Sequence, residues 1–167
     1  MSLEHHKRSA PSQIRFAVVT FSDTRQIEQD RGGDFLVESL EAAGHSVALR
    51  AVHRDEPSEI AAAVRKAVAS PEVDLVLTTG GTGIAPRDST YTTLRDLLDS
   101  DIPGFGELFR WLSYEEIGAA TIMSRALGGL LNGKVVLGLP GSPKALRLAM
   151  EKIILPEAGH LVSQTRG

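Results

Sequence analysis

The sequence predicts an α/β fold built on one largely parallel sheet. Two observations point there directly. Three short apolar runs rich in β-branched residues are separated by two amphipathic stretches of helical period, and each stretch is about a dozen residues long, the length a crossover between parallel strands needs. A third observation concerns composition: 42% hydrophobic and 23% charged residues in a chain of 167 fit one globular domain and argue against a disordered chain.

The elements follow in order. The first dozen residues read as a loose segment, residues 1–13, ahead of a single domain over 14–167. Ile14 to Phe21 is the first buried strand. A polar stretch from Ser22 to Arg31 and the pair Gly32-Gly33 come next. From Asp34, the residues Phe35, Leu36, Leu40 and Ala43 fall at helical spacing, and Gly44 ends that helix. Val47 to Val52 is a second strand. Pro57 opens a helix whose Ile60, Ala61, Val64 and Val68 share a face, and which stops before Pro71. Asp74 to Thr78 is a third strand, closed by Gly80-Gly81. In the second half Phe105 to Glu116 reads as a helix with Phe105, Leu108, Phe109 and Leu112 on one face. Met123 to Leu131 fits helix or strand. Lys134 to Leu139 is a strand, and Ala145 to Leu155 an amphipathic helix.

Several classes of function are excluded early. No cysteine means no disulfide, zinc ribbon, iron–sulfur cluster or thiol nucleophile. A net charge of −3 argues against a nucleic-acid surface, which requires a strong basic patch. No apolar run reaches membrane-spanning length. The charged start before Ala10-Pro11 does not read as a secretory signal, so a cytoplasmic location is expected.

Ligands of open parallel sheets bind beyond the carboxyl ends of the strands, which selects Ser22–Gly33, Thr78–Thr90 and Leu139–Lys144. In the middle segment Gly80, Gly81 and Gly83 allow positive φ and close backbone approach, and successive amides in such a turn form a concavity for phosphate oxygens. Thr79 and Thr82 add hydroxyls, Arg87 a cation, and Asp88 a carboxylate suited to magnesium. The competing reading is a tight turn in which Asp88 caps a helix at Ser89-Thr90. In the third segment Gly141 exposes backbone, Ser142 is a good N-cap and Pro143 suits a first helical turn. Lys144 is the anomaly there, because the helix dipole disfavours a cation in the first turn unless an anion is bound. The first segment offers Ser22, Asp23 and Asp30, equally explained as polar turn residues. Asp55 and Glu56 lie past the second strand at the same sheet edge as Asp88.

Two apparent motifs are rejected. Gly128 to Lys134 has P-loop spacing, but Val135 stands where the metal-binding hydroxyl belongs and a strand follows where a helix is needed. The dinucleotide fingerprint is missing after the first strand. His45, His53 and His160 form no ligand pair and read as structural. Trp111 falls off the apolar face of its helix and reads as core edge or as a subunit contact.

Phe21-Ser-Asp23, Thr78-Thr-Gly-Gly-Thr-Gly83 with Arg87-Asp88, and Leu139-Pro-Gly-Ser-Pro-Lys144 occur in the order found in the MoaB/MogA family of molybdenum-cofactor biosynthesis proteins, which the chain resembles from about Ile14 to Val162. Pro103-Gly-Phe-Gly-Glu107, Ser113 to Gly118 and Ser124-Arg125 resemble the MoaB branch. The resemblance implies a three-layer, doubly wound sheet with helices on both faces. It implies Mg²⁺-dependent transfer of an adenylyl group from ATP to molybdopterin, with Asp55 and Asp88 as catalytic, metal-holding carboxylates. Ser22, Asp23, Thr79, Gly80, Gly81, Thr82, Gly83, Gly141, Ser142 and Lys144 are then the substrate- and nucleotide-binding set. It further implies a homo-oligomer, trimer or hexamer. Two positions depart from the family pattern: Thr92, where a carboxylate is usual, and Gly32, where a hydroxyl is usual. They keep open an alternative in which the chain binds molybdopterin or nucleotide without chemistry, or serves as an oligomeric scaffold.

Overall fold

A computed structural model describes residues 10–166. Most of the segment expected to be loose, residues 1–9, lies outside the described residues. Six strands form one sheet: β1 (Arg15–Phe21), β2 (Ser46–His53), β3 (Leu75–Thr79), β4 (Ser100–Asp101), β5 (Leu127–Leu131) and β6 (Lys134–Leu139), in the order β2-β1-β3-β6-β5-β4. The β2, β1, β3 and β6 strands run parallel to their neighbours. The β4 and β5 strands extend that block in antiparallel sense, so the sheet is mixed at one edge.

Helices α1 (Arg31–Ala42), α2 (Pro57–Ala69), α3 (Thr90–Leu97), α4 (Pro103–Ile117), α5 (Pro143–Ala149) and α6 (Leu155–Thr165) cover both faces. The period-2 alternation of β1 shows how. Phe16 and Val18 point to the core under α1, α4 and α5, whereas Ala17, Val19 and Phe21 point to the core under α2 and α3. A strand buried on both sides needs apolar side chains on both faces, which is why β1 reads as a near-continuous apolar run; its buried Thr20 is satisfied by donating to Asp30. The result is the three-layer α/β architecture that the resemblance implies.

Four local expectations are refined. Helix α1 begins at Arg31 rather than Asp34, because Asp30 caps it by accepting the Gly33 N–H at 3.0 Å. Gly33 is therefore a buried first-turn residue and not part of a ligand loop. The ambiguous stretch Met123–Leu131 resolves toward strand: Leu127–Leu131 is β5, and Met123 only closes a 3₁₀ segment, Gly118–Met123, that precedes it. The rejected P-loop spacing is a β-hairpin, with Asn132 at φ 48° and Gly133 at φ 74° forming the tight turn between β5 and β6. The last amphipathic helix runs on to Thr165 through a π-helical segment, Met150–Ile154, just ahead of Pro156. Proline lacks an N–H and crowds the carbonyl four residues back, and a wider turn accommodates both effects.

At the end of the sheet away from the predicted ligand loops, Asp74 accepts from Arg15 at 2.9 and 3.0 Å and from Arg166 at 2.6 Å. Burial pushes this carboxyl up. The Arg15 hydrogen bonds and the charges of Arg15 and Arg166 outweigh that and hold it below the ordinary carboxylate range.

Candidate functional site

Strand order reverses between β1 and β3, since β2 lies on one side and β6 on the other. Crevices form at such a switch point because the connections leave in opposite directions. Here a cleft of about 430 Å³ opens beyond Phe21, Thr79 and Leu139, the carboxyl ends of β1, β3 and β6.

The glycine loop forms its floor. Gly80 has φ +97°, and its N–H donates to Leu139 O at 3.1 Å. A Cβ there would run into the Phe21 carbonyl. Gly81 has φ +63°, and a Cβ there would run into Asp55 Oδ2 and Thr90 Oγ1. Two successive residues are thus required to be glycine by both torsion and space. Thr79 Oγ1 donates to Pro140 O at 3.2 Å, tying this loop to the one after β6.

Asp55 enters from the end of β2 and is only 7% exposed. Its Oδ1 accepts from Ser89 N at 3.2 Å, Ser89 Oγ at 2.8 Å and Thr90 Oγ1 at 3.1 Å. It therefore anchors the start of α3 from a distant strand. The competing expectation, that Asp88 caps this helix, is overturned: Asp88 Oδ2 accepts instead from Ala85 N at 3.2 Å within the loop. Oδ2 of Asp55 lies beside Gly81, and Oδ2 of Asp88 beside Gly83. The two carboxylates flank the glycine turn. Asp23 ties the two loops together: its Oδ1 accepts the Asp55 N–H at 3.1 Å and its Oδ2 accepts from Arg87, the neighbour of Asp88, at 2.6 Å.

Of the predicted site residues, Ser22, Asp23, Asp55, Thr79, Gly80, Gly81, Thr82, Gly83, Asp88, Gly141 and Ser142 all line the cleft. Ser22 also serves its own turn, accepting from Thr24 N and Arg25 N at 3.4 and 3.3 Å. Ser142 is the N-cap of α5, accepting from Ala145 N at 3.3 Å. Lys144 does not line this cleft; it lies in an adjoining cavity. Of the two departures from the family pattern, Gly32 lines the cleft, whereas Thr92 is exposed on α3 and does not.

Two residues take on roles that the sequence does not assign to them. Asp30, fully buried and lining the cleft, accepts Thr20 Oγ1 at 2.7 Å and sits 3.7 Å from Arg50. Arg125, at the end of the 3₁₀ segment, grips the outside of the glycine loop. Its guanidinium donates to the carbonyls of Gly83 and of Asp88 (3.1 Å), and to Thr82 O at 3.4 Å, while lying 4.7 Å from the Tyr91 ring centroid. The histidines are elsewhere: His45 accepts the Ile14 N–H at 3.2 Å, and His160 pairs with Glu157 at 3.0 Å. Among the described residues no group of three or more His, Cys, Asp or Glu is placed to hold a metal. No helix of the described residues is long and apolar enough to cross a membrane.

Residues 17–160 match the family model described as a probable molybdopterin binding domain. The chain is 46% identical over 165 residues to the molybdenum cofactor biosynthesis protein B of Halalkalibacterium halodurans, covering 98% of this chain and 97% of that protein. It is 49% identical over 162 residues to the protein of the same name from Bacillus cereus, covering 96% of each. Among solved structures, a tungsten cofactor synthesizing protein MoaB from Pyrococcus furiosus superposes with a TM-score of 0.84 at 36% identity, over 95% of this chain and 100% of that one.

Proposed function

The chain belongs to the MoaB/MogA family of molybdenum-cofactor biosynthesis proteins, and from that premise we propose that it adenylylates molybdopterin at the cleft beyond β1, β3 and β6. The observation that carries this reading is the placement of Asp55 and Asp88 on either side of the Gly80–Gly83 turn. In the reaction an oxygen of the pterin's terminal phosphate bonds to the α-phosphorus of ATP. The bond from that phosphorus to the bridging oxygen breaks, and pyrophosphate leaves with the bridging oxygen and its electron pair. Substrate attacks substrate, so no protein nucleophile is needed; positioning and electrostatics are the whole demand.

The chain's residues divide that work. The amides of the glycine turn beyond Gly80 and the Thr82 hydroxyl face phosphate oxygens, whereas the Gly80 N–H and the Thr79 hydroxyl are committed to Leu139 O and Pro140 O and hold the loop in place. The Asp23–Arg87 pair keeps a cation at the cleft mouth. Asp55 commits Oδ1 to α3 and leaves Oδ2 at the turn, and Asp88 supplies a second carboxylate, a hard-oxygen set that fits Mg²⁺ when substrate phosphates complete its shell. Magnesium arriving with ATP would supply neutralisation of phosphate charge. Binding without chemistry loses part of its support, because Thr92 lies outside the cleft.

The deciding assay incubates the protein with molybdopterin, magnesium and ATP and seeks adenylylated pterin by mass. Wild type should form it. Asp88→Asn should keep its fold and lose about 100-fold or more in turnover, the scale of one lost transition-state contact. No product from wild type sinks the proposal. We assign self-association to the outer face of α4, where Trp111 is 66% exposed beside Tyr114 and Leu108, the last expected to be core. Light scattering should find a trimer or hexamer that Trp111→Asp breaks apart, and a wild-type monomer at micromolar concentration would end that assignment.

A further inference from the structure

Beside the cleft lies a second cavity of about 570 Å³, lined by Arg25, Arg31, Lys144 and Arg147 and by no carboxylate. In a chain of net charge −3 this is a marked concentration of one sign. Among the described residues, no ion pair engages Arg25, Arg31 or Lys144. Arg147 lies 3.6 Å from Glu151 and 5.4 Å from the Phe35 ring centroid. Arg31 is the first residue of α1 and Lys144 sits in the first turn of α5. Both helix dipoles oppose the charges placed on them, and a bound anion reverses the sign of that interaction. The cavity and the cleft share Arg25, Gly32 and Gly141, so the boundary between them includes two residues without side chains.

Resting on the adenylyl-transfer reading above, we infer that this cavity is a diphosphate subsite: Arg25, Arg31, Lys144 and Arg147 hold the β- and γ-phosphates of ATP and then the departing pyrophosphate. Charge moves onto the bridging oxygen as its bond to the α-phosphorus breaks, and Arg25, Arg31 and Lys144, which have no ion-pair partner among the described residues, receive it. The Asp55–Asp88 side of the cleft offers carboxylates, which take a magnesium ion rather than a bare diphosphate. The two cavities thus divide the substrate by charge.

The test is calorimetric titration of the whole protein with sodium pyrophosphate, with orthophosphate and AMP as separate arms. Pyrophosphate should bind more tightly than either, and more weakly as salt rises. Arg31→Ala and Lys144→Ala should each weaken it roughly tenfold or more, the effect of one lost charge-assisted contact. Lys66→Ala, which removes an equal charge from exposed α2, should leave it unchanged. Absence of pyrophosphate binding at millimolar concentration, or equal affinity in wild type, Arg31→Ala and Lys144→Ala, overturns the inference. The pterin mass assay on the same variants separates the two claims. Adenylylated product formed at the wild-type rate by Lys144→Ala removes the subsite and leaves the reaction. Pyrophosphate held through Arg31 and Lys144 by a protein that makes no product keeps the diphosphate site and removes the reaction assigned to it.

Discussion

Replacing Asp30 by alanine should be among the most costly single changes near the cleft, and its size follows from what the carboxylate holds. One oxygen accepts the Gly33 N–H at 3.0 Å and caps α1, a contact worth about 1 kcal/mol. The other accepts Thr20 Oγ1 at 2.7 Å, and Thr20 is itself buried, so the stranded hydroxyl costs about 2 kcal/mol. Arg50 loses a neighbour at 3.7 Å but keeps Asp34 at 2.6 Å, which limits that contribution. The total is about 3 kcal/mol, or roughly 6–12 °C in Tm for a chain of this length. Asp30→Asn preserves an acceptor for Gly33 and offers an amide donor to Thr20, so it should cost about 1 kcal/mol. Urea unfolding of the three proteins measures both differences. A loss below about 1 kcal/mol in Asp30→Ala, or equal losses in the two variants, would refute the account.

Four more outcomes are expected. Gly81→Ala forces a Cβ into a backbone at φ +63° and against Asp55 Oδ2, and should lose at least ~1–2 kcal/mol in urea titration. Gly83→Ala has no positive φ to contend with and should instead act on turnover through its contact with Asp88 Oδ2. In Arg125→Lys the ammonium cannot span three carbonyls or stack on Tyr91, so amide exchange over residues 83–88 should quicken as much as in Arg125→Ala; full protection in the lysine variant contradicts this. His45 is held below the ordinary histidine value by burial, and its Nδ1 accepts the Ile14 N–H. The unfolded chain therefore binds the proton more readily, and His45's contribution to stability, full above about pH 6.5, declines as pH falls toward the folded value. His45→Gln should flatten that slope in urea titrations between pH 7 and 5.

The parts of the fold legible in sequence are those whose reasons are local. β1, β3 and β6 are short apolar runs because both faces are covered, and α2 carries its own proline start and apolar stripe. Helix α3 enters the sequence reading only as a helix opening at Ser89-Thr90 under Asp88, because Thr90, Thr92 and Thr93 are poor helix formers and its actual anchor, Asp55, arrives from β2, 34 residues away. Sequence spacing puts the start of α1 late because a glycine pair reads as a loop, although a first helical turn capped by Asp30 tolerates it. Within the site, the glycine turn and the cap at Ser142 announce themselves by residue type. The Arg125 clamp does not, because its targets are backbone carbonyls and carry no sequence signal. Lys144 was paired with the cleft by adjacency along the chain, and the direction it takes from α5 could not be read from spacing alone.

The two edges of the sheet bear on what the protein does when crowded with copies of itself. An unpaired strand edge is a template for intermolecular β-pairing. At one end of the order the sheet stops in β4, two exposed residues long and ending in Asp101, which offers a neighbouring chain almost no ladder to extend and a charge to bury if it tries. At the other, β2 is eight residues long, and Arg50 in its middle is drawn across to Asp34 on α1. Resistance to aggregation at the first edge rests on brevity and at the second on a charged side chain, so Arg50 is the position where substitution by a β-branched apolar residue should turn a well-behaved protein into one that precipitates.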